Sequence, residues 1–191
     1  MLRWIVRALA IIVIAAGVLV VLDFAELLVW PKPDDSEAMA YTIPACNGRV
    51  VAEGLTYRIR DPRQDEVVAV HAAKTDEGKI APDKDATELT LVLRVAAEPG
   101  DVIEGRADTV FVNDIKLDDI TTKPFPKITV PNEQYFLLGD NRDAAIDSRT
   151  FGPVLGNAIF ARVVAVTWPL RDITFRLGQS EGAPPGPIAC D

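Results

Sequence analysis

The side chains that could support peptide-bond hydrolysis are few in this sequence and are spread along it. A serine hydroxyl attacks a carbonyl group efficiently only when a neighbouring base removes its proton. The sequence contains a single histidine, His71, which together with Ser148 and Asp147 supplies the residue types of a Ser–His–Asp triad. The alternative is that His71 is an ordinary side chain at the end of a strand. The residue types alone do not assign a working triad.

The sequence gives little support for a serine–lysine pair at Ser36, for a metal site or for a nucleic-acid partner. Ser36 could attack a carbonyl only if Lys74 or Lys84 reached it, and both lysines lie in a stretch typical of an exposed, charged connection. One histidine and two cysteines cannot build an ordinary zinc site without several carboxylates, so we expect no metal and no cofactor. A formal net charge of −8 over 191 residues argues against a nucleic-acid partner, because phosphate contacts require a basic face.

The elements that must position these residues begin with a predicted membrane anchor. Residues 8–22 (ALAIIVIAAGVLVVL) carry no charge, and residues 4–6 extend this stretch, with Arg7 able to reach the interface. About 19 residues at about 1.5 Å each cover roughly 28 Å, close to the hydrocarbon thickness of a bilayer. Arg3 and Arg7 precede the apolar core, while Asp23 and Glu26 follow it. We therefore expect a single-pass protein of the cytoplasmic membrane, with its N-terminus in the cytoplasm and its main domain outside.

A cleaved secretory signal peptide is the alternative for this N-terminal segment. Such a peptide also has a basic start and an apolar middle, but it needs small residues at a cleavage point. Here Phe24 and residues 27–30 (LLVW) follow the apolar run, which favours the interface-seated end of a retained helix. The predicted division is a cytoplasmic stub and anchor over 1–30, a domain over 31–176, and a flexible Gly/Pro-rich tail over 177–191.

The domain after the anchor reads as mainly β. Short runs rich in β-branched residues alternate with turn signals such as Pro99-Gly100-Asp101 and Asn113-Asp114, and no helical pattern lies between them. This pattern predicts an antiparallel β domain. The predicted strands are Arg49 to Glu53, Glu66 to His71, Leu89 to Val95, Thr109 to Asn113, Tyr135 to Leu138 and Ile159 to Trp168.

Two cysteines, Cys46 and Cys190, lie outside the membrane in this topology. Disulfides persist in extracytoplasmic compartments, and a bond between these residues would tie the tail to the start of the domain. The alternative is two unpaired thiols, because sequence cannot show that the sulfur atoms meet.

Three sequence blocks carry a resemblance to a known family. Residues 139–154 read GDNRDAAIDSRTFGPV, residues 93–101 read LRVAAEPGD, and residues 49–68 read RVVAEGLTYRIRDPRQDEVV. They resemble the GDNR…DSR, KRVxGxPGD and DPRxGD-like segments of the bacterial type I signal peptidases, peptidase family S26. The resemblance extends from residue 1 to about residue 170 and implies a signal-peptidase-like β domain. The matching residues of the first two blocks are Gly139, Asp140, Asn141, Arg142, Asp147, Ser148, Arg149, Phe151, Gly152, Arg94, Val95, Pro99, Gly100 and Asp101.

The resemblance also implies a serine–lysine hydrolysis mechanism. The family cleaves signal peptides after small side chains at the outer membrane surface, with a lysine kept neutral by burial as the base. A second serine orients the lysine amine, and a further serine helps to hold the oxyanion. The nucleophile motif of the family, S-x-S-M-x-P-T, matches residues 36–42 (SEAMAYT), in which Ser36, Met39 and Thr42 fit.

The three catalytic positions implied by the resemblance hold apolar residues. The nucleophile position holds Ala38, the lysine position before Arg94 holds Leu93, and the position of the lysine-orienting serine holds Ala145. Tyr41 also replaces the usual proline. We expect the retained neighbours of these positions to preserve architecture rather than chemistry. These neighbours are Ser36, Met39, Arg94, Asp140, Asn141, Arg142, Asp147, Ser148 and Arg149.

Three accounts of these departures differ in what they explain. Engineered inactivation normally changes one residue, and misalignment does not explain Leu93 or Ala145, whose neighbours fix the register. Natural loss of catalysis explains all three, because Leu93 can pack in the core once no amine is needed there. We therefore predict a proteolytically inactive, membrane-anchored protein that binds exported peptides or a membrane protein complex. The alternative is an active type I signal peptidase.

Overall fold

The computed structural model describes residues 4, 7–9, 11–15, 17, 28–29, 37–43 and 49–168. Residues 4, 7–9, 11–15 and 17 are helical. Within the ranges just given, no helix is both long enough and apolar enough to cross a membrane. Ser36, Cys46, Cys190 and the tail lie outside the described residues, so the disulfide and the tail stay predictions.

The described chain is built mainly from short strands. Within residues 49–168 the helices are single turns at Thr56–Ile59 and Ser148–Phe151, with a 3₁₀ turn at Gly156–Ala158. The strands are β1 (Leu28–Val29), β2 (Arg49–Glu53), β3 (Val67–Lys74), β4 (Ile80–Pro82), β5 (Leu89–Ala97), β6 (Val102–Arg106), β7 (Thr109–Val112), β8 (Ile115–Lys116), β9 (Phe125–Thr129), β10 (Gln134–Leu138), β11 (Val154–Leu155) and β12 (Ile159–Trp168).

The strands form two sheets in which the described pairs are antiparallel. The larger sheet has the order β1-β2-β12-β3-β5-β10-β11, with β4 beside β3, and the smaller has the order β8-β7-β6-β9. The predicted strands correspond to β2, β3, β5, β7, β10 and β12. The prediction of a mainly antiparallel β domain is confirmed.

The strand β1 corrects the prediction for the end of the apolar helix. Leu28 and Val29, expected at the interface-seated helix end, pair with Glu53 and Ala52 of β2. Strand pairing satisfies the backbone donors and acceptors along this part of β2. The prediction that helix continues to these residues is wrong.

The smaller sheet contains two tight turns, of which the sequence predicted only the one between β7 and β8. Asn113 and Asp114 connect β7 to β8 with φ angles of 51° and 64°, as the Asn-Asp turn signal indicated. Ala107 and Asp108 connect β6 to β7 with φ angles of 43° and 67°. Alanine rarely adopts a positive φ, so this turn and the strand β6 carry no clear sequence signal.

Alternating side chains of the larger sheet build a core on each face. On β3, Val68, Val70 and Ala72 lie in one apolar cluster, whereas Val67 and Ala69 lie in another on the opposite face. The backbone of a strand directs successive side chains to opposite faces, so these near-continuous apolar runs mark strands that are buried on both sides. The first of these faces carries the candidate site.

Candidate functional site

A buried turn, residues 37–43, brings the predicted nucleophile position against the sheet. The amides of Thr42 and Ile43 donate to the carbonyl of Met39 at 2.8 and 2.7 Å. Ala38 is fully buried and Met39 is nearly so. The Sδ atom of Met39 accepts from the amide of Asp140 at 3.5 Å, which couples the turn to the 139–154 block.

The structure brings the apolar residues at the three predicted catalytic positions into one place. Ala38 and Leu93 belong to a single buried cluster, and Ala145 packs against it. Their neighbours include Val68, Val70, Leu91 and Leu137, with Tyr135 as the polar-tipped member. Three positions that are distant in sequence therefore meet as hydrocarbon in a buried setting. We call this group, with Ala38, Leu93 and Ala145 as its defining members, the apolar centre.

Gly139 allows the close approach on which the apolar centre depends. A Cβ atom at this position would lie 2.3 Å from the Ala145 Cβ atom and 2.7 Å from the Ala38 carbonyl oxygen. The amide of Asn141 donates to the same Ala38 oxygen at 2.9 Å, and the amide of Ala145 donates to the Asn141 oxygen at 3.0 Å. Backbone contacts therefore position Ala38 and Ala145.

Asp140 lies at the centre of a buried charge network beside the apolar centre. Arg94 donates to both carboxylate oxygens of Asp140, from Nε at 2.8 Å and from Nη2 at 2.7 Å. Thr42 also donates to Asp140, and the Nη1 atom of Arg94 reaches the carbonyl of Asp65 at 2.9 Å. Burial opposes the charged form of Arg94, but the hydrogen bonds and charge of Asp140 outweigh it and raise the pKa of Arg94.

Asp147 fixes the other side of the Gly139 turn. Its carboxylate accepts from the amide of Gly139 at 3.0 Å, from the amide of Arg149 at 3.0 Å and from the Arg149 guanidinium at 2.8 Å. It thereby caps the helical turn Ser148–Phe151. The Ser148 hydroxyl is buried and accepts from the amide of Leu137 at 2.9 Å. Asp147, Ser148 and Arg149 thus make structural contacts.

Arg142 ties the same block to a distant loop. Its Nε donates to the carbonyl of Gly139 at 2.8 Å, and its Nη2 pairs with Asp118 in a buried contact. Its Nη1 atom is buried and bonds to no atom of the described residues. The sequence offered no signal for Asp118, or for Thr122, which accepts from Arg149 at 3.1 Å, because both lie in an irregular connection.

The structure does not bring together the triad inventory of His71, Asp147 and Ser148. His71 stacks on Phe160 with ring centroids 3.9 Å apart, on the face of β3 opposite the apolar centre. Burial lowers the pKa of His71. Ser148 contacts Leu137 on the other face. Lys84 pairs with exposed Asp85. Ser36 lies outside the described residues.

A groove missed by sequence reasoning adjoins the apolar centre. It has a volume of about 660 Å³, and Ile80, Leu89, Leu91, Ile146 and Phe151 form its apolar lining, with Lys74 and Lys79 at its rim. Leu91 is shared between the groove and the apolar centre. We call these apolar residues the apolar groove. Because they come from β4, β5 and the 139–154 block, no local sequence pattern indicated it.

The described residues contain no group of three or more His, Cys, Asp or Glu side chains placed to hold a metal ion. The site consists of three parts: the apolar centre, the charge network beside it and the adjoining apolar groove. An antiparallel β domain that brings the 37–43 turn, β5 and the 139–154 block together has the architecture expected of a signal-peptidase-like protein.

Comparison with known proteins agrees with this class. The profile of the family described as "Signal peptidase, peptidase S26" matches residues 1–168, so the chain belongs to this family. The chain is 33% identical over 140 residues to a probable signal peptidase I-2 of Synechocystis sp., covering 71% of this chain and 62% of that protein. It is 29% identical over 176 residues to thylakoidal processing peptidase 1 of Arabidopsis thaliana, covering 87% of this chain and 50% of that protein.

The chain thus spans less than two thirds of the length of these two relatives. A crystal structure of a signal peptidase I from Enterococcus faecalis V583 aligns with a TM-score of 0.42 at 24% identity, covering 55% of this chain and 97% of that chain. The identification of the chain as a member of the type I signal peptidase family is confirmed.

Proposed function

We propose that this chain is a signal-peptidase-like protein that binds extended peptides or partner proteins without cleaving them. The observation that supports the proposal is the position of Ala38, Leu93 and Ala145 together in the apolar centre. Peptide hydrolysis of this type needs a nucleophile and a base in contact. In a well-studied serine protease, removal of either group lowers the turnover rate on the order of 10⁶-fold.

The burial of Leu93 supports the same proposal. Its side chain is 1% exposed and lies among aliphatic residues, where an isolated ammonium would be costly. The lysines that could substitute are placed differently: Lys74 lies at the exposed rim of the apolar groove, and Lys84 pairs with Asp85. Neither lysine is embedded in an apolar setting of the kind that keeps a lysine neutral.

The apolar groove is the proposed binding surface. Its volume of about 660 Å³ is within the range of ligand pockets, and its lining is mostly aliphatic and aromatic. β10 pairs with the second half of β5, from Arg94 to Ala97. The first half of β5, which begins at Leu89, lies alongside this groove. An extended peptide lying along β5 would place alternate side chains into the groove.

We also propose that the domain is held at the outer face of the cytoplasmic membrane. The apolar stretch of residues 8–22 would form the anchor, which must end before β1 at Leu28. Alkaline carbonate extraction of membranes tests this: the full chain should stay in the pellet, and a chain lacking residues 1–27 should be extracted.

The decisive experiment mixes the purified full chain with a fluorogenic signal-peptide substrate. We expect no cleavage above the buffer rate, together with saturable binding of the uncleaved peptide. The variant Ala38→Ser/Leu93→Lys/Ala145→Ser restores the three groups that the family mechanism requires, and Ala38→Ser alone is its matched control. Cleavage by the triple variant but not by the control would show that only these groups are lost.

An active signal peptidase is the second candidate, because the named relatives are peptidases at 33% and 29% identity. It predicts cleavage by the unaltered chain that Ser36→Ala abolishes. Such a result would refute the proposal. An inert unaltered chain that nevertheless binds the peptide supports it.

A further inference from the structure

A second cleft lies on the domain, and Ala38, Leu93 and Ala145 take no part in its lining. It has a volume of about 550 Å³ and is formed where the chain before β3, the start of β10 and the 3₁₀ turn meet. Two aromatic rings, Tyr57 and Tyr135, and two carboxylates, Asp61 and Glu133, line it, with Gly156 against Tyr135. We call these five residues the tyrosine cleft.

The charge of the tyrosine cleft has one sign. Asp61 and Glu133 are exposed, and neither carboxylate forms an ion pair with a described residue. No lysine or arginine is among the residues that line the cleft in the described part of the chain. Neighbouring Arg60 lies beside the cleft, where its guanidinium donates to Glu66 at 3.1 Å and to the backbone carbonyl of Asp61 at 2.8 Å. It forms no ion pair with the carboxylate of Asp61 or Glu133, so these two carboxylates have no cationic partner among the described residues.

Tyr135 supplies an independent sign of a ligand. Its side chain is only 4% exposed, and yet its hydroxyl forms no hydrogen bond with any described residue. The hydroxyl oxygen is not one of the fully enclosed side-chain atoms without a partner, so it is reached from outside, and the residue lines the cleft. An accessible hydroxyl at the end of a nearly buried side chain can bond to a polar ligand atom or to water in the cleft. Burial and the nearby charges of Asp61 and Glu98 raise the pKa of Tyr135, which keeps this hydroxyl protonated.

The walls of the cleft are held rigidly. The Tyr57 hydroxyl donates to Glu66 at 3.1 Å, which fixes its ring. A Cβ atom at Gly156 would lie 3.0 Å from the Tyr135 ring, so the glycine lets the backbone of the 3₁₀ turn pack closely against it. The amide of Gly156 donates to the carbonyl of Glu133 at 2.8 Å, which fixes the turn against the start of β10. Aromatic faces next to carboxylates favour an organic cation over a metal ion.

We infer that the tyrosine cleft binds an organic cation, an alkylammonium or guanidinium group with an apolar stem. The carboxylates of Asp61 and Glu133 would neutralise the charge, the tyrosine rings would cover the stem, and the Tyr135 hydroxyl would accept a hydrogen bond from the cation. The cation could belong to a basic side chain of a polypeptide or to a free amine, since both present the same chemistry. This inference is independent of whether the chain cleaves peptides.

The test is an NMR titration of the full chain in detergent micelles, following the backbone amides of Gly156 and Asn157. The probes are N-acetyl-lysine methylamide, free n-butylamine and, as an uncharged control, N-acetyl-norleucine methylamide. We expect saturable binding of at least one charged probe, weakened by added salt, and no saturation with the norleucine compound. Binding of the lysine compound alone assigns the cation to a polypeptide, whereas binding of both charged probes shows that a free amine suffices.

Variants separate the cleft from the overall negative charge. Asp61→Asn/Glu133→Gln should weaken binding about tenfold, because two unneutralised carboxylates contact the ligand. Asp76→Asn/Glu77→Gln changes the net charge equally on the distant β3–β4 hairpin and should leave the affinity unchanged. Tyr135→Phe should weaken binding about threefold while keeping the ring. Absence of saturable binding by both charged probes, equal binding of the norleucine compound, or equal weakening by the two double variants would overturn the inference.

Discussion

The apolar centre and the charge network around it are built from the same sequence blocks, yet they differ sharply in chemistry. In the network, Arg94, Asp140 and Asp147 are buried and fully engaged in hydrogen bonds. In the centre, the adjacent residue Leu93 lies among hydrocarbon with Ala38 and Ala145. Neighbouring positions on one strand, Leu93 and Arg94, thus point to opposite faces and have opposite character. The comparison shows that a buried polar network can lie directly beside a buried hydrocarbon cluster built from the same sequence blocks.

Placing an amine in the apolar centre should cause the largest loss of stability among the substitutions in these two regions. Leu93→Lys should lower the free energy of unfolding by about 4 to 5 kcal/mol at pH 7, because burial disfavours the ammonium. The folded protein would bind the proton less readily than the unfolded chain, whose lysine pKa is about 10.4. Stability relative to the parent should therefore rise with pH up to about 10. Urea denaturation at several pH values measures this.

Leu93→Met is the matched control for that experiment, because it conserves volume and adds no charge. It should cost less than about 1.5 kcal/mol at every pH. If Leu93→Lys lost the same stability at pH 7 and pH 10, the cost would come from packing rather than charge, and the apolar centre would not have the low polarity described above.

The charge network should be almost as sensitive to the loss of one charge. Arg94→Met leaves the Asp140 carboxylate buried without its bidentate partner and should cost about 3 to 5 kcal/mol. Lys84→Met removes one partner of an exposed ion pair and should leave stability unchanged within error. Thermal unfolding of both variants tests the contrast. Equal stability of Arg94→Met and the parent would mean that the network contributes nothing to the fold.

The junction between the two regions should give the smallest of the three effects. Gly139→Ala places a Cβ atom against the Ala145 side chain and the Ala38 carbonyl, and should cost about 1 to 3 kcal/mol. Adding Ala145→Gly removes one of the two clashes, so the double variant should recover part of the loss. If the double variant is no more stable than Gly139→Ala, the clash with the Ala38 carbonyl accounts for the whole loss of stability.

Sequence reasoning found the principal strands but missed several of their connections, and the catalytic roles assigned to positions 38, 93 and 145 stay predictions. The runs of β3, β5 and β12 are long, and β2 is short but rich in valine, so their patterns are clear. β4, β8 and β11 are short, and β6 ends in a turn whose first residue with positive φ is Ala107, a residue that gives no turn signal. Leu28 and Val29 were predicted at the end of a helix, because apolar residues fit a helix or a strand equally well. Their pairing with β2 shows that they form a strand.

Side-chain identity and spacing are sufficient to indicate the family, the antiparallel β class and the apolar character of positions 38, 93 and 145. The tertiary structure was needed to show that Ala38 and Leu93 share one buried cluster with Ala145 packed against it, that Asp118 pairs with Arg142, and that the apolar groove and the tyrosine cleft form. The physical reason is that these contacts join residues far apart in the chain. Their energies depend on burial and distance, which no local pattern of residues encodes.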